Sequence, residues 1–185
     1  QYVLPSYDFS KNFNLKDING SFNFNSNGNN SLTSTNALST KAVNNLKFES
    51  YNSFFENGIK SNFAILLKNV NAVGKKSNEY DSSLKSEVTS SYVFNTSLPL
   101  SKDTETRSNI LEPKMSFRFS PHGMKNHKNT ATLIDMNNVF NNDRLGLSDA
   151  YEGTESLTIG MDYKIRKIKN DETSKVKVIE DYLDF

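Results

Sequence analysis

Residues 84–100 read LKSEVTSSYVFNTSLPL, and the alternation within them decides the fold class. The even positions are Leu84, Ser86, Val88, Ser90, Tyr92, Phe94, Thr96, Leu98 and Leu100; the odd positions are Lys85, Glu87, Thr89, Ser91, Val93, Asn95, Ser97 and Pro99. Successive side chains of a strand point to opposite faces, so this period-2 chemistry predicts an extended segment with one mainly apolar face and one face of charge, amide and hydroxyl. The run is 17 residues long. A strand of a soluble domain is usually about 5–6 residues, and a tilted outer-membrane strand needs about 9–11 to cross the bilayer.

The same two-faced chemistry recurs on both sides of the run. Leu111, Pro113, Met115, Phe117 and Phe119 alternate with Glu112, Lys114, Ser116 and Arg118, and Leu157, Ile159, Met161, Tyr163 and Ile165 alternate with Thr158, Gly160, Asp162 and Lys164. Weaker candidate strands lie near 2–15, 20–26, 30–42, 45–55, 59–70 and 174–183, which makes about nine in all. Asn27-Gly28 fits a two-residue hairpin turn and Asn57-Gly58 a second tight reversal, because both residue types tolerate positive φ. Pro113 removes a ladder donor, so a local bulge is expected there. The connections 71–79 and 121–150 are long and those at 101–106 and 167–173 shorter, which puts the long loops at one end of an up-and-down sheet.

Composition fits such a sheet. Asn 26, Ser 24 and Thr 12 together make about a third of the 185 residues, and apolar residues make 35%, below the roughly 45–50% of an ordinary soluble domain. A barrel wall needs an apolar residue only at every second position across the hydrocarbon, so low overall hydrophobicity follows from that architecture. The net charge of +1 gives no field that favours nucleic acid, and we expect no nucleic-acid partner. There is no cysteine, hence no disulfide scaffold or thiolate metal site. The longest wholly apolar run, Phe63 to Leu67, is far too short for a spanning helix.

From Asn109 the chain reads NILEPKMSFRFSP, then a polar loop ending LIDMNNVFNNDRLGLSDAYEG, then TESLTIGMDYKI. This pattern resembles the barrel domain of the LPS-assembly outer-membrane proteins, the LptD (OstA/Imp) family. The resemblance rests on Leu111, Glu112 and Pro113, on Phe140, Asp143, Arg144, Gly146, Asp149, Glu152 and Gly153 in the loop, and on Gly160 in the following strand. It departs from the family where Ala150 stands in place of a frequent Arg and Thr154 in place of a second Gly. It implies a fold: an antiparallel up-and-down transmembrane β-barrel segment over 1–185, part of a larger barrel in the Gram-negative outer membrane. It also implies a function, lipopolysaccharide transport and assembly, with lipopolysaccharide, membrane lipid, a lipoprotein plug and periplasmic bridge proteins as partners. The expected lumen-facing polar positions are Lys85, Glu87, Glu112, Lys114, Arg118, Asp162 and Lys164.

Catalytic and metal motifs are sparse. His122 and His127 have no acidic partner at ligand spacing and read as surface loop residues. Asp135, Asn137, Asn138, Asn141 and Asp143 resemble a calcium loop in composition but lack its turn glycine and closing glutamate, so a solvated extracellular loop is expected. No nucleophile elbow or phosphate-cradling glycine loop is present. We therefore expect no enzyme, no metal and no cofactor. Two other readings stay open at this point: a different outer-membrane barrel such as a porin, or a soluble secreted β-sandwich or adhesin module whose apolar faces are buried between two sheets.

Overall fold

The structure is a computed structural model, and it describes residues 2–33, 36–123, 132–170 and 177–184. Ten strands form in chain order: β1 (Tyr2–Leu15), β2 (Gly20–Leu32), β3 (Leu38–Ser50), β4 (Ser53–Phe54), β5 (Lys60–Lys75), β6 (Lys85–Ser97), β7 (Leu100–Asp103), β8 (Arg107–Ser120), β9 (Thr154–Asn170) and β10 (Lys177–Asp184). A 3₁₀ turn at Lys16–Ile18 links the first two. All ten belong to one antiparallel sheet ordered β1-β2-β3-β5-β6-β8-β9-β10, with β4 paired to β5 and β7 to β8. Among the described residues nothing pairs β1 with β10, so the sheet has two edges.

Ten strands replace the nine expected: the candidates at 20–26, 30–42 and 45–55 resolve into two, β2 and β3, and two connections carry a short hairpin strand of their own, β4 and β7. Phe55 and Ile59 pair across the Asn57-Gly58 reversal, with Gly58 at φ 84. The other expected turn does not form. Asn27 and Gly28 lie inside β2, opposite Asp8 and Tyr7 of β1 and Val43 and Ala42 of β3. The Tyr7 ring lies where a Cβ on Gly28 would stand, so the glycine makes room for an aromatic ring and does not turn the chain. The reversals fall instead at Asn19 (φ 51) and Asn36 (φ 57). β5 continues to Lys75, so the expected loop at 71–79 is displaced to 76–84. β8 runs unbroken through Pro113, whose carbonyl accepts the Leu98 N–H at 3.1 Å.

The chain divides into two compact units, Gln1–Tyr51 with Phe63–Val93 and Arg118–Ser156, and Asn52–Asn62 with Phe94–Phe117 and Leu157–Phe185. In the first, the register sets Phe22 opposite Phe48, and Phe48 opposite Ile65. The ring centroids of Phe22 and Phe63 lie 4.6 and 5.5 Å from that of Phe48. On the same face a row of polar groups closes on itself sideways: Ser26 donates to Asn44 (2.7 Å), Asn44 to Asn69 (3.2 Å), and Asn69 to Ser86 (3.1 Å). The opposite face holds Ala64, Leu66 and Val93, which form a buried cluster with Tyr151.

In the second unit the charged positions pair: Lys60 with Glu112 at 3.4 Å, and Lys114 with Asp162. Asn95 donates to Asn62 (3.1 Å) and accepts from Ser116 (2.7 Å).

Strands β6 and β8 bury a largely polar row and expose an apolar one. Along β6, Thr89, Ser91 and Val93 are buried, whereas Val88 is 67% exposed and Tyr92 and Phe94 are also open. Along β8, Ser116, Arg118 and Ser120 are buried, and Met115, Phe117 and Phe119 are exposed. On β9, Leu157, Ile159 and Met161 are exposed, Ile159 to 75%.

Candidate functional site

What buries the polar row is the segment between β8 and β9. Its first part is a tight coil: Asp135 accepts the backbone N–H groups of Asn137 (2.8 Å) and Asn138 (3.2 Å), and Asn138 Nδ2 donates to the Leu133 carbonyl (2.7 Å). These are the local side-chain bonds that make Asp and Asn good turn residues. Further on, Asp143 accepts the Gly146 N–H at 3.0 Å and Gly146 sits at φ 58, a left-handed conformation that glycine adopts without penalty. The chain then folds back so that Arg144 meets Glu152. Arg144 Nε donates to Oε2 at 2.8 Å, Nη2 donates to Oε1, and Nη2 also reaches Ser156 at 3.0 Å. Both partners are 7% exposed, and a two-pronged pair of this kind is the geometry in which a buried charge is best matched.

The stem of the loop is equally constrained. His122 Nε2 donates to the Tyr151 carbonyl at 2.9 Å, and the Thr154 N–H donates to the His122 carbonyl at 3.3 Å. A Cβ on Gly153 would stand 2.8 Å from the backbone of Gly123 and His122, so only glycine lets the two arms approach.

Four strands hold this loop. Arg118 of β8 donates to the carbonyls of Asn141 (2.7 Å) and Asn142 and touches the Ser91 hydroxyl of β6 at 3.4 Å. Lys68 of β5 donates to the carbonyls of Leu147 and Ala150 (3.3 Å), and its ammonium lies 4.6 Å from the centre of the Tyr151 ring. Thr89 of β6 accepts the Tyr151 N–H at 3.3 Å, and Glu49 of β3 accepts from Asn142 Nδ2 at 3.2 Å. Burial, and secondarily the Asp143 charge, pushes the Tyr151 phenol well above the ordinary tyrosine range.

No protein-family model, curated protein or solved structure matches this chain.

The structure gathers part of what the sequence singled out. Asp143, Arg144, Gly146, Glu152 and Gly153 build the fold of the loop, with Phe140 and Asp149 half-buried in it. Leu111, Glu112, Pro113 and Gly160 stand on β8 and β9 in the second unit and take no part in this cluster. Among the polar positions expected on one face, Arg118 lies beneath the loop, Glu112, Lys114 and Asp162 are in ion pairs, and Lys85 pairs with Asp81 at an exposed strand start. Glu87 is exposed and Lys164 half-buried.

The loop itself departs from expectation. Asp135, Asn137 and Asn141 face solvent, but Arg144, Leu147 and the run 150–153 are buried against the sheet, because their carbonyls and charges find donors on the polar strand face. His122 is half-buried in this stem and bonded to the Tyr151 carbonyl, whereas His127 lies outside the described residues. Lys68, Thr89, Ser91 and Tyr151 are positions of this packed cluster that the motifs did not single out. Lys68 left one signal: it is the lone charge between Phe63 and Val73.

Proposed function

We propose that this chain is wall and inward-folded loop of a β-barrel in the Gram-negative outer membrane, of the LptD-like kind that transports and assembles lipopolysaccharide. The observation that carries the reading is the polarity of β6, β8 and β9. In water a fold gains by hiding Val88 and Ile159 and leaving Ser91 and Arg118 wet. Here Ser91 is fully buried and Arg118 is 3% exposed, while Val88 and Ile159 are 67% and 75% exposed. That arrangement is favourable where the apolar row meets hydrocarbon and the polar row faces a lumen in which a hydrogen-bonding loop satisfies it.

The length of the row supports it too. Leu157 to Ile165 spans about 27 Å of extended chain, or about 21 Å along the normal at a tilt near 40°, close to the roughly 25 Å apolar band of outer-membrane barrels. In lipid the edges of β1 and β10 must be paired, by closure or by further strands, since hydrocarbon offers no hydrogen-bond partner. The reading assigns no catalytic step and no cofactor. The lumen row would give sugar and phosphate groups a polar path past the hydrocarbon, and the loop would sit in that path. The plug lipoprotein and the periplasmic bridge proteins enter as partners by resemblance.

The soluble sandwich would need a second sheet over the apolar row, and among the described residues there is one sheet. The test is refolding from denaturant: cooperative β circular dichroism should appear with detergent or lipid and not in buffer alone. A stable soluble monomer without amphiphile overturns the membrane reading. The lipopolysaccharide step is tested separately, with a photo-crosslinking side chain at Lys114 in Gram-negative cells. Capture of lipopolysaccharide is expected, and its absence in an inserted, folded protein leaves a porin-like barrel.

A further inference from the structure

Lys68 is 5% exposed and Arg118 is 3% exposed, yet among the described residues neither touches a carboxylate. Lys68 has two main-chain carbonyls and the face of Tyr151; Arg118 has two main-chain carbonyls and one hydroxyl. The Arg118 Nε–H, buried, has no acceptor among the described residues. The carboxylates of Asp143 and Asp149 act on Lys68 from beyond contact distance, against the repulsion of Lys41; Arg118 meets first the like charge of Arg144, then the carboxylates of Glu152, already committed to Arg144, and Asp143.

A buried cation matched only by neutral oxygens is incompletely compensated, and an anionic oxygen is a stronger acceptor than a carbonyl for both ammonium and guanidinium. Guanidinium also presents its N–H groups as a planar fork that fits a phosphate two-pronged. The unused Nε–H beside an engaged Nη is half of such a fork.

We infer that Arg118, with its unused Nε–H, is an oxyanion site in which the carbonyls of Asn141 and Asn142 are stand-ins, and that Lys68 offers a second such contact beneath Leu147 and Ala150, so that phosphate groups exchange with these carbonyls and free the loop from the strands. The ligand class is a phosphate ester or pyrophosphate. It could be presented as a free anion or on a lipid head group. The consequence is a loop that stays closed over the polar face until phosphate arrives. The inference rests on the packing of the loop and holds whether or not the sheet lies in a membrane.

The chain has no cysteine, so a reporter pair can be placed cleanly. Glu49→Cys and Asn142→Cys replace side chains that now meet at 3.2 Å, and the rate of oxidative cross-linking between them reports how often the loop is seated. The full chain is folded in whichever medium supports it, and the rate is measured with inorganic pyrophosphate, with sodium chloride at equal ionic strength, and with micelles of a phosphorylated or an uncharged lipid. Pyrophosphate or the phosphorylated lipid should slow cross-linking several-fold and saturably, with chloride and uncharged lipid inert. An effect of pyrophosphate assigns the site to a soluble anion, and an effect of the phosphorylated lipid alone assigns it to a head group.

Adding Lys68→Met with Arg118→Met should give slow cross-linking that phosphate no longer alters. Equal responses to phosphate and chloride in the parent pair overturn the inference even if that variant does not fold. Folding in buffer alone would remove the membrane reading and leave this measurement intact.

Discussion

The Arg144–Glu152 pair lends itself to a quantitative test. Both side chains are nearly inaccessible, at 7% and 9% exposure, and they meet through two hydrogen bonds, one of 2.8 Å. Replacing Glu152 by Ala strands the guanidinium with only the Ser156 hydroxyl, 3.0 Å away, as acceptor. Removing one partner of a buried pair costs about 3–5 kcal/mol, because the remaining charge keeps its desolvation penalty and loses its compensation. At about 1.4 kcal/mol per tenfold, that is a loss of protection on the order of 10²–10³-fold for the amides the pair holds closed. Native-state hydrogen exchange of residues 141–153 reads this directly. The double replacement Arg144→Met with Glu152→Leu removes both charges, and its cost should fall to about 1 kcal/mol or less, since buried pairs exchange for apolar groups almost neutrally. The exposed Lys47–Glu49 pair, with side chains 38% and 37% accessible, supplies the contrast: Lys47→Ala should change stability by about 0–1 kcal/mol. If Glu152→Ala alters loop protection less than about fivefold, the magnitude expected of a surface pair, the loop is not anchored as described. If the double replacement is as damaging as the single one, the argument from stranded charge is wrong.

Three further outcomes follow from the same geometry. Ile159→Lys should cost about 2–4 kcal/mol in denaturant unfolding from lipid vesicles, the range for a cation on a lipid face, and less than about 0.5 kcal/mol if that face is simply wet. Phe48→Ala, which empties the space between Phe22 and Phe63, should lower unfolding free energy by about 3–5 kcal/mol, and a loss below about 1 kcal/mol would show that the ring is not enclosed. The Tyr151 phenol is raised by burial, so the folded state holds its proton to higher pH than the unfolded chain; stability is complete below the ordinary tyrosine range near 10 and declines as pH rises above it. Tyrosinate absorbance should therefore appear late for two residues, Tyr151 and the partly buried Tyr80, the latter raised to about 12. The Tyr151 step should coincide with loss of loop protection, and its appearance together with the exposed tyrosines would refute the burial.

Alternation made the long strands legible. It placed Met115, Phe117, Leu157 and Ile159 on one row and Arg118 and Asp162 on the other without any knowledge of contacts, because a strand's geometry enforces that division. It could not show Asn27-Gly28 as strand. A turn and a strand glycine have the same local sequence, and the deciding atom is the ring of Tyr7, 21 positions away in the chain. The loop was legible only as a motif. Arg144, Glu152 and Gly153 stood out, but their role depends on partners in β5, β6 and β8, brought together by pairing over long sequence separations. Lys68 carries no motif at all, and its use is set by the carbonyls of Leu147 and Ala150.

Arg118 holds its end of the loop through main-chain oxygens, and a carbonyl is the same group whichever residue bears it. Asn141 turns its side chain to solvent while its carbonyl is gripped, so its identity is invisible to the strand beneath. A population of such chains can vary the outward lettering of this segment and keep its backbone where it is. The variation would change what solvent meets, while the grip of the arginine underneath is unaltered.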